Sequence, residues 1–213
     1  MDRFFQFDNG FMRAMSKLYD IIFLSVLWIV FSIPIVTIGA STTALYYTAV
    51  KVILHERDYV FSSFWKAFKD NFLNATIFWL ILLVVYVSLG TNIWMAFPIF
   101  GEDIGVMMQG VYIFLMLLLS FMSVYIFPVQ SRFVMNKIQI LKLCLFMGMK
   151  HLPYSVIMVL IGAIAIIGVY LITPLILVMP VAATLFISVF MERVLKKYMP
   201  KESDENLDQW YLE

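Results

Sequence analysis

The sequence predicts an all-α protein, a polytopic transmembrane helix bundle of about six apolar segments, and three observations lead there. Hydrophobic residues make up 63% of the 213-residue chain and charged residues 14%, against roughly 45–50% and about 25% in soluble domains. The mean hydropathy of +0.92 comes from long apolar blocks, which leave too little charge to cover a water-soluble particle of 24.8 kDa. The 15 lysines and arginines cluster between those blocks, as the positive-inside rule asks of cytoplasmic connections. A net charge of +1 gives no reason to expect nucleic acid as a partner. A single cysteine, Cys144, excludes an internal disulfide.

The first apolar region, residues 21–54, is too long for one crossing and carries Pro34 and Gly39 near its centre. Proline removes a backbone donor and glycine accepts a positive φ, so residues 33–41 read as the tip of a hairpin. Its two arms, roughly 21–24 Å each, are either short spans or a re-entrant hairpin. A cleaved signal peptide is disfavoured because Asp2, Asp8 and Asp20 stand in what would be its basic leader.

Next, Phe61, Phe64, Trp65, Phe68 and Phe72 recur at helical spacing with Lys66, Lys69 and Asp70 set apart from them. That pattern predicts an amphipathic helix lying in the cytoplasmic headgroup region. Residues 75–97 and 106–127 read as full crossings, joined outside by 98–105 with its acids Glu102 and Asp103. A second interfacial helix is expected over 137–151, with Ile138, Leu141, Leu145 and Met149 on one face. Residues 154–173 and 174–191 supply the last two crossings, cornered at Thr173-Pro174. A surface helix followed by a spanning hairpin would thus occur twice.

With the tip at 34–41 also outside, both termini lie in the cytoplasm and every base falls on that side. Residues 1–200 form one integral membrane domain. Residues 201–213 form an acidic tail, expected to be solvated and disordered, with Trp210 and Tyr211 as its only large apolar groups besides leucine.

No catalytic chemistry is visible. Residues 75–97, 106–127 and 154–191 hold no Asp, Glu, Lys, Arg or His, which weighs against a proton-coupled pump. His55 and His151 do not have metal-ligand spacing with each other or with Cys144, so no metal site is expected. His55-Glu56-Arg57-Asp58 reads as a solvated charge run. No nucleophile elbow, phosphate loop or cofactor fingerprint occurs, and the expectation is a non-enzymatic protein without a cofactor. Gly162, Ala165 and Gly168 form a small-residue strip suited to close helix packing. No polar groove for a sugar stands out.

The front of the chain carries a more specific pattern. Asp8-Asn9 with Phe11 is followed by Lys17-Leu18-Tyr19-Asp20, then by Pro34-Ile35-Val36-Thr37-Ile38-Gly39-Ala40 and Thr43-Ala44-Leu45-Tyr46-Tyr47. Tyr59, Phe64 and Phe68-Lys69-Asp70-Asn71-Phe72 continue it. Over roughly residues 4–80 this resembles the YesL family of bacterial polytopic membrane proteins, a family without an assigned reaction.

The resemblance implies a multi-pass cell-membrane protein of the kind encoded near carbohydrate uptake systems of the ABC type. The expected role is accessory or regulatory to carbohydrate uptake, with the lipid bilayer, an ABC-type permease and a second copy of the chain as candidate partners. The alternative is a small transporter or channel whose hairpin lines a path. Two groups of residues are singled out: Pro34, Thr37, Gly39, Thr43, Tyr46 and Tyr47 on the hairpin, and Phe64, Trp65, Phe68, Lys69, Asn71 and Phe72 on the first interfacial helix. The hydroxyls of Ser41, Thr42, Thr43 and Thr48 in so apolar a hairpin must bond to backbone, to another helix or to a ligand.

Overall fold

The computed structural model describes residues 4–133 and 135–198, with side chains from Met12 onward, and contains helices and no strand among them. The helices are α1 (Phe4–Ser32), α2 (Ile38–Thr48), α3 (Val60–Arg132), α4 (Lys137–Lys150), α5 (Leu152–Leu171) and α6 (Met179–Leu195). Three helical segments are long and apolar enough to cross a membrane: Met12–Ser32 of α1, α3, and α5. The acidic tail, 201–213, lies outside the described residues.

The hairpin tip falls where proline dictates. α1 stops at Ser32, Pro34 is extended (φ −73°, ψ 108°), and a 3-10 turn over Ile35–Thr37 leads into α2. Thr37 closes the turn by donating from Oγ1 to the carbonyls of Phe31 (2.6 Å) and Pro34 (2.7 Å). The expected positive φ at Gly39 is not found; the residue is helical, inside α2. Glycine is required there for another reason. An ideal Cβ would overlap the carbonyl oxygen of Ala75 and stand 2.6 Å from Trp79 Cβ. Gly39 is thus the point of closest approach between α2 and α3. Trp79 secures the same contact by donating from Nε1 to the Ile35 carbonyl at 2.7 Å.

α2 is the innermost helix of this end. Gly39, Ala40, Ser41, Thr43, Ala44, Leu45, Tyr46 and Thr48 are all buried, and the chain continues buried through a π-helical turn, Ala49–Leu54, to Ile53. Of its four Ser and Thr hydroxyls two meet the expected fates, whereas those of Ser41 and Thr48 are buried with no hydrogen-bond partner in the described protein. Thr42 and Thr43 bond back to the carbonyls of Ile38 (2.7 Å) and Gly39 (3.0 Å), and Trp28 of α1 reaches Thr42 at 3.4 Å. The loop after α2 is tighter than a solvated charge run. Glu56 and Asp58 adopt positive φ (53° and 71°), and they pair with Lys17 and Lys51, each at 2.6 Å. The hydrogen bonds from these lysines hold both carboxyls below their ordinary pKa.

α3 corrects two expectations. Residues 61–72 do not form a separate interfacial helix; they are the first turns of α3 and continue unbroken into the apolar stretch from Ala75. No glycine or proline stands between Val60 and Leu89, and Asn71 bonds to the Ala67 carbonyl (3.0 Å) rather than capping a break. Phe64 and Phe68 are buried and form ring contacts with Phe31 at 5.5 and 5.0 Å, while Trp65 and Phe72 remain partly exposed. The link at 98–105 is also mostly helical. Pro98 is tolerated within the helix, and only Gly101 leaves helical geometry, at φ 75°, ψ −177°. That conformation is essentially restricted to glycine, so one residue reverses the chain. The two limbs pack against each other through Gly105, whose ideal Cβ lies 3.2 Å from the Ala96 carbonyl oxygen, and through Tyr86 with Ser120 and Ser123 at 3.1 and 3.2 Å.

The three links expected at one surface lie at different levels. The α1–α2 tip sits beside Ala75 and Trp79, about 33 Å along the first limb from Gly101 at 1.5 Å per residue. α5 starts beside the second limb, where Tyr125 Oη and Ser155 Oγ are 3.0 Å apart. It then runs back towards the first hairpin, so that Gly162, Ala165, Ile176 and Met179 share a groove with Trp28, Thr42 and Leu45. Hydropathy fixes the length of such segments and not the direction in which they pack.

The helix expected over 137–151 appears as α4, with Asn136 and Gln139 forming a capping box at its start. The face it buries is Ile140, Cys144, Met147 and Gly148, whereas Ile138, Leu145 and Met149 point outward. Burial pushes the Cys144 thiol up to about 12, which makes it an inert core residue. Of the small-residue strip, Gly162 has nothing within 4 Å of an ideal Cβ and borders an apolar groove, whereas Gly168 packs closely on α6, its ideal Cβ lying 3.1 Å from Met179 Cε. Two cores result. One joins α1, α2 and the start of α3 around Leu24, Ala44, Leu45 and Phe64; the other joins α3 to α4, α5 and α6 around Tyr125, Ile126, Cys144, Met158 and Met191.

Candidate functional site

A polar cavity of about 240 Å³ lies between the two cores. Each wall comes from a different part of the chain. The first turns of α3 contribute Lys66, Asp70, Asn71 and Asn74, which recur on one face at helical spacing. The end of the same helix, returning after Gly101, contributes Gln130, Ser131 and Arg132, and α2 contributes Tyr47. The two helical limbs of α3 make this possible: its ends meet only because Gly101 folds it back on itself.

Behind Arg132 stands an ion pair. Its Nη2 donates to Glu192 Oε1 of α6 at 2.7 Å, and Tyr46 Oη donates to the same oxygen at 2.8 Å. The Arg132 side chain is 1% exposed and that of Glu192 16%. Burying the guanidinium is tolerable because the carboxylate, itself held by the tyrosine hydroxyl, meets it. The pair ties α2, α3 and α6 together at one level, and it fixes the back of the cavity.

Gln130 behaves differently. It is 5% exposed, and neither Nε2 nor Oε1 of its carboxamide has a hydrogen-bond partner within the described protein. An orphaned buried polar group of this kind costs roughly 1–3 kcal/mol. The hydroxyls of Ser25, Ser32, Ser41, Thr48, Ser63 and Thr76 share this condition, but Gln130 is the carboxamide among them and the one that lines the cavity.

The residues singled out from the sequence separate into two sets. Tyr47 and Asn71 line the cavity, and Tyr46 joins the ion pair behind it. Thr37 and Gly39 lie at the opposite end of α2 and Thr43 one turn further in, while Pro34 precedes the turn; these four shape the hairpin. Phe64 and Phe68 are core, and Lys69 stacks over Trp65 at 4.7 Å on the outer face near Phe72. Gln130, Arg132, Glu192, Lys66 and Asn74 were not foreseen. Gln130, Arg132 and Glu192 stand within two turns of the end of an apolar segment, a position where polar groups ordinarily face water. Among the described residues no cluster of His, Cys, Asp or Glu could hold a metal.

A family model described as a protein of unknown function, DUF624, matches residues 21–93, about a third of the chain. The matched stretch covers the last part of α1, all of α2 and the first part of α3, including Tyr46, Tyr47, Lys66, Asp70, Asn71 and Asn74. Neither the curated proteins nor the solved structures contain a match.

Proposed function

We propose that this chain is a non-enzymatic, multi-pass membrane protein of the YesL kind, accessory or regulatory to carbohydrate uptake through an ABC-type permease. The uptake role rests on the resemblance of roughly residues 4–80, and the observation that carries the multi-pass orientation is the distribution of charge along α3. The acids Glu102 and Asp103 flank the Gly101 turn, whereas Lys66, Lys69 and Arg132 stand at the other end, with residues 75–97 and 106–127 uncharged between them. The limbs of α3 then cross the bilayer with their basic end in the cytoplasm, which also places both termini there. The first hairpin, whose tip stops beside Ala75, is re-entrant in this reading, and the six apolar segments do not all cross in full. The outward apolar face of α4, at the same basic end, is the surface offered to lipid or to a permease. The alternative, a transporter with the hairpin lining a path, is less favoured because Gly39 brings α2 into backbone contact with α3.

Two experiments test this. In a Cys144→Ala background, a cysteine at Glu102 should react with an impermeant reagent in intact cells, and one at Ser203 only after permeabilisation; external labelling of both would defeat the orientation. For the role, a tagged chain extracted from native membranes should bring permease subunits with it. Failure to do so, together with unchanged sugar uptake on deletion, would remove the accessory reading.

A further inference from the structure

We infer that the cavity between α2 and the two ends of α3 binds a neutral polyhydroxylated group of about one hexose, supplied either by a free sugar or by the headgroup of a glycolipid. This deepens the carbohydrate reading above and rests on it for the choice of a sugar among polyols.

The argument starts from Gln130. Its buried carboxamide offers a donor pair and an acceptor with nothing in the protein to meet them. A ligand that satisfies both must itself carry donors and acceptors side by side, as adjacent hydroxyls do. Asn74 lines the same cavity with the same chemistry, while Asn71 Nδ2 is already given to the Ala67 carbonyl and Ser131 Oγ to that of Pro128, so these two offer acceptor oxygens. Planar carboxamides match vicinal hydroxyl pairs without adding charge.

Charge separates this ligand from an anion. Lys66 and Asp70, one turn apart, oppose each other in the wall, and the positive charge of Arg132 is already met by Glu192. A phosphate dianion would find one lysine with a carboxylate beside it. A neutral polyol meets no such conflict. Size narrows the choice further. At about 30 Å³ per water, a volume of about 240 Å³ holds the equivalent of roughly eight waters. It falls below the roughly 300–1,000 Å³ of sites for drug-sized ligands. One sugar ring fits this space. Tyr47 provides an aromatic wall for the C–H face of such a ring.

The test is thermal melting of the full chain in phosphatidylglycerol nanodiscs, because a maltoside detergent would itself present the chemistry sought. The probes are glucose, galactose, mannose and myo-inositol as free polyols, glucose 6-phosphate, and nanodiscs containing glucosyldiacylglycerol. A bound ligand raises the melting temperature in a saturable way.

At least one neutral probe should do so with the parent protein. Gln130→Met should melt no lower than the parent without ligand, since it removes an orphaned amide. Its response should be lost or require about tenfold more ligand. Asn74→Ala, at an exposed position, should weaken the response without disturbing the fold, and it carries the comparison if Gln130→Met does not fold. A response to free sugar identifies a soluble ligand, and a response to the glycolipid alone identifies a membrane one. The inference is overturned if neither produces a shift, if the shift persists unchanged in Asn74→Ala and in folded Gln130→Met, or if glucose 6-phosphate gives the larger effect. A negative result here leaves the accessory role to stand or fall on copurification, which does not involve the cavity.

Discussion

Replacing Gly39 with valine is expected to cost about 3 kcal/mol or more and to lower the melting temperature of the extracted protein sharply. The cause is overpacking and not backbone strain. A Cβ at this position overlaps the Ala75 carbonyl oxygen and crowds Trp79 Cβ at 2.6 Å, and valine adds two methyl groups beyond it. Overpacking a core usually costs about 1–3 kcal/mol when side chains can yield. Here the nearest obstacle is backbone inside a helix, which can move only by separating α2 from α3. That separation would also break the Trp79 bond to the Ile35 carbonyl. Gly39→Ala should show a smaller loss of the same kind. Pro34→Ala should change stability by less than about 1 kcal/mol, because alanine can adopt the observed φ of −73° and the loss is confined to restriction of the unfolded chain. Equal melting temperatures for Gly39→Val and the parent would show that the α2–α3 contact is looser than the geometry requires.

The same residue shows how much of this molecule its sequence discloses. Pro34 announces the break between α1 and α2 because its ring and missing donor act locally. Asn136 and Gln139 mark the start of α4 in the same way, and the helix ends at Lys150 within a residue of its expected limit. Gly39 was legible as special but not as what it is. A glycine serving a turn and a glycine serving close approach look alike until the partner helix is known. The unbroken α3 was missed because a change of polarity near residue 74 resembles a boundary, although nothing there interrupts the hydrogen-bond ladder. On α4 the sequence groups Ile138, Leu145 and Met149 on the face that the structure leaves outward, but with apolar residues on every side periodicity alone does not say which stripe packs inward. The cavity was the least legible feature. Tyr47 and Asn71 meet because α3 packs back on α2, and Gln130 joins them only through the fold-back at Gly101, some distance in sequence from it.

Replacing Glu192 with leucine is expected to destabilise the protein by about 3–5 kcal/mol, the cost of breaking a buried pair by removing one partner. The loss should exceed the value of the hydrogen bonds removed. Glu192 Oε1 accepts from both Arg132 and Tyr46, and the guanidinium left behind is 1% exposed, too deep to recover hydration without moving the end of α3. Tyr46→Phe removes only the neutral donor and should cost roughly 1.5–3 kcal/mol, as for a hydrogen bond to a charged group. The informative variant is Arg132→Met combined with Glu192→Leu. If the single substitution fails because a charge has lost its counterion in a low-dielectric site, removing both charges should restore most of the stability. Melting temperatures of the two singles and the double complete the cycle. A double variant no more stable than Glu192→Leu would mean that the pair itself, with Tyr46, is what fastens α2, α3 and α6. Its retention would then reflect the stability of the cavity's rear wall and not merely tolerance of two buried charges.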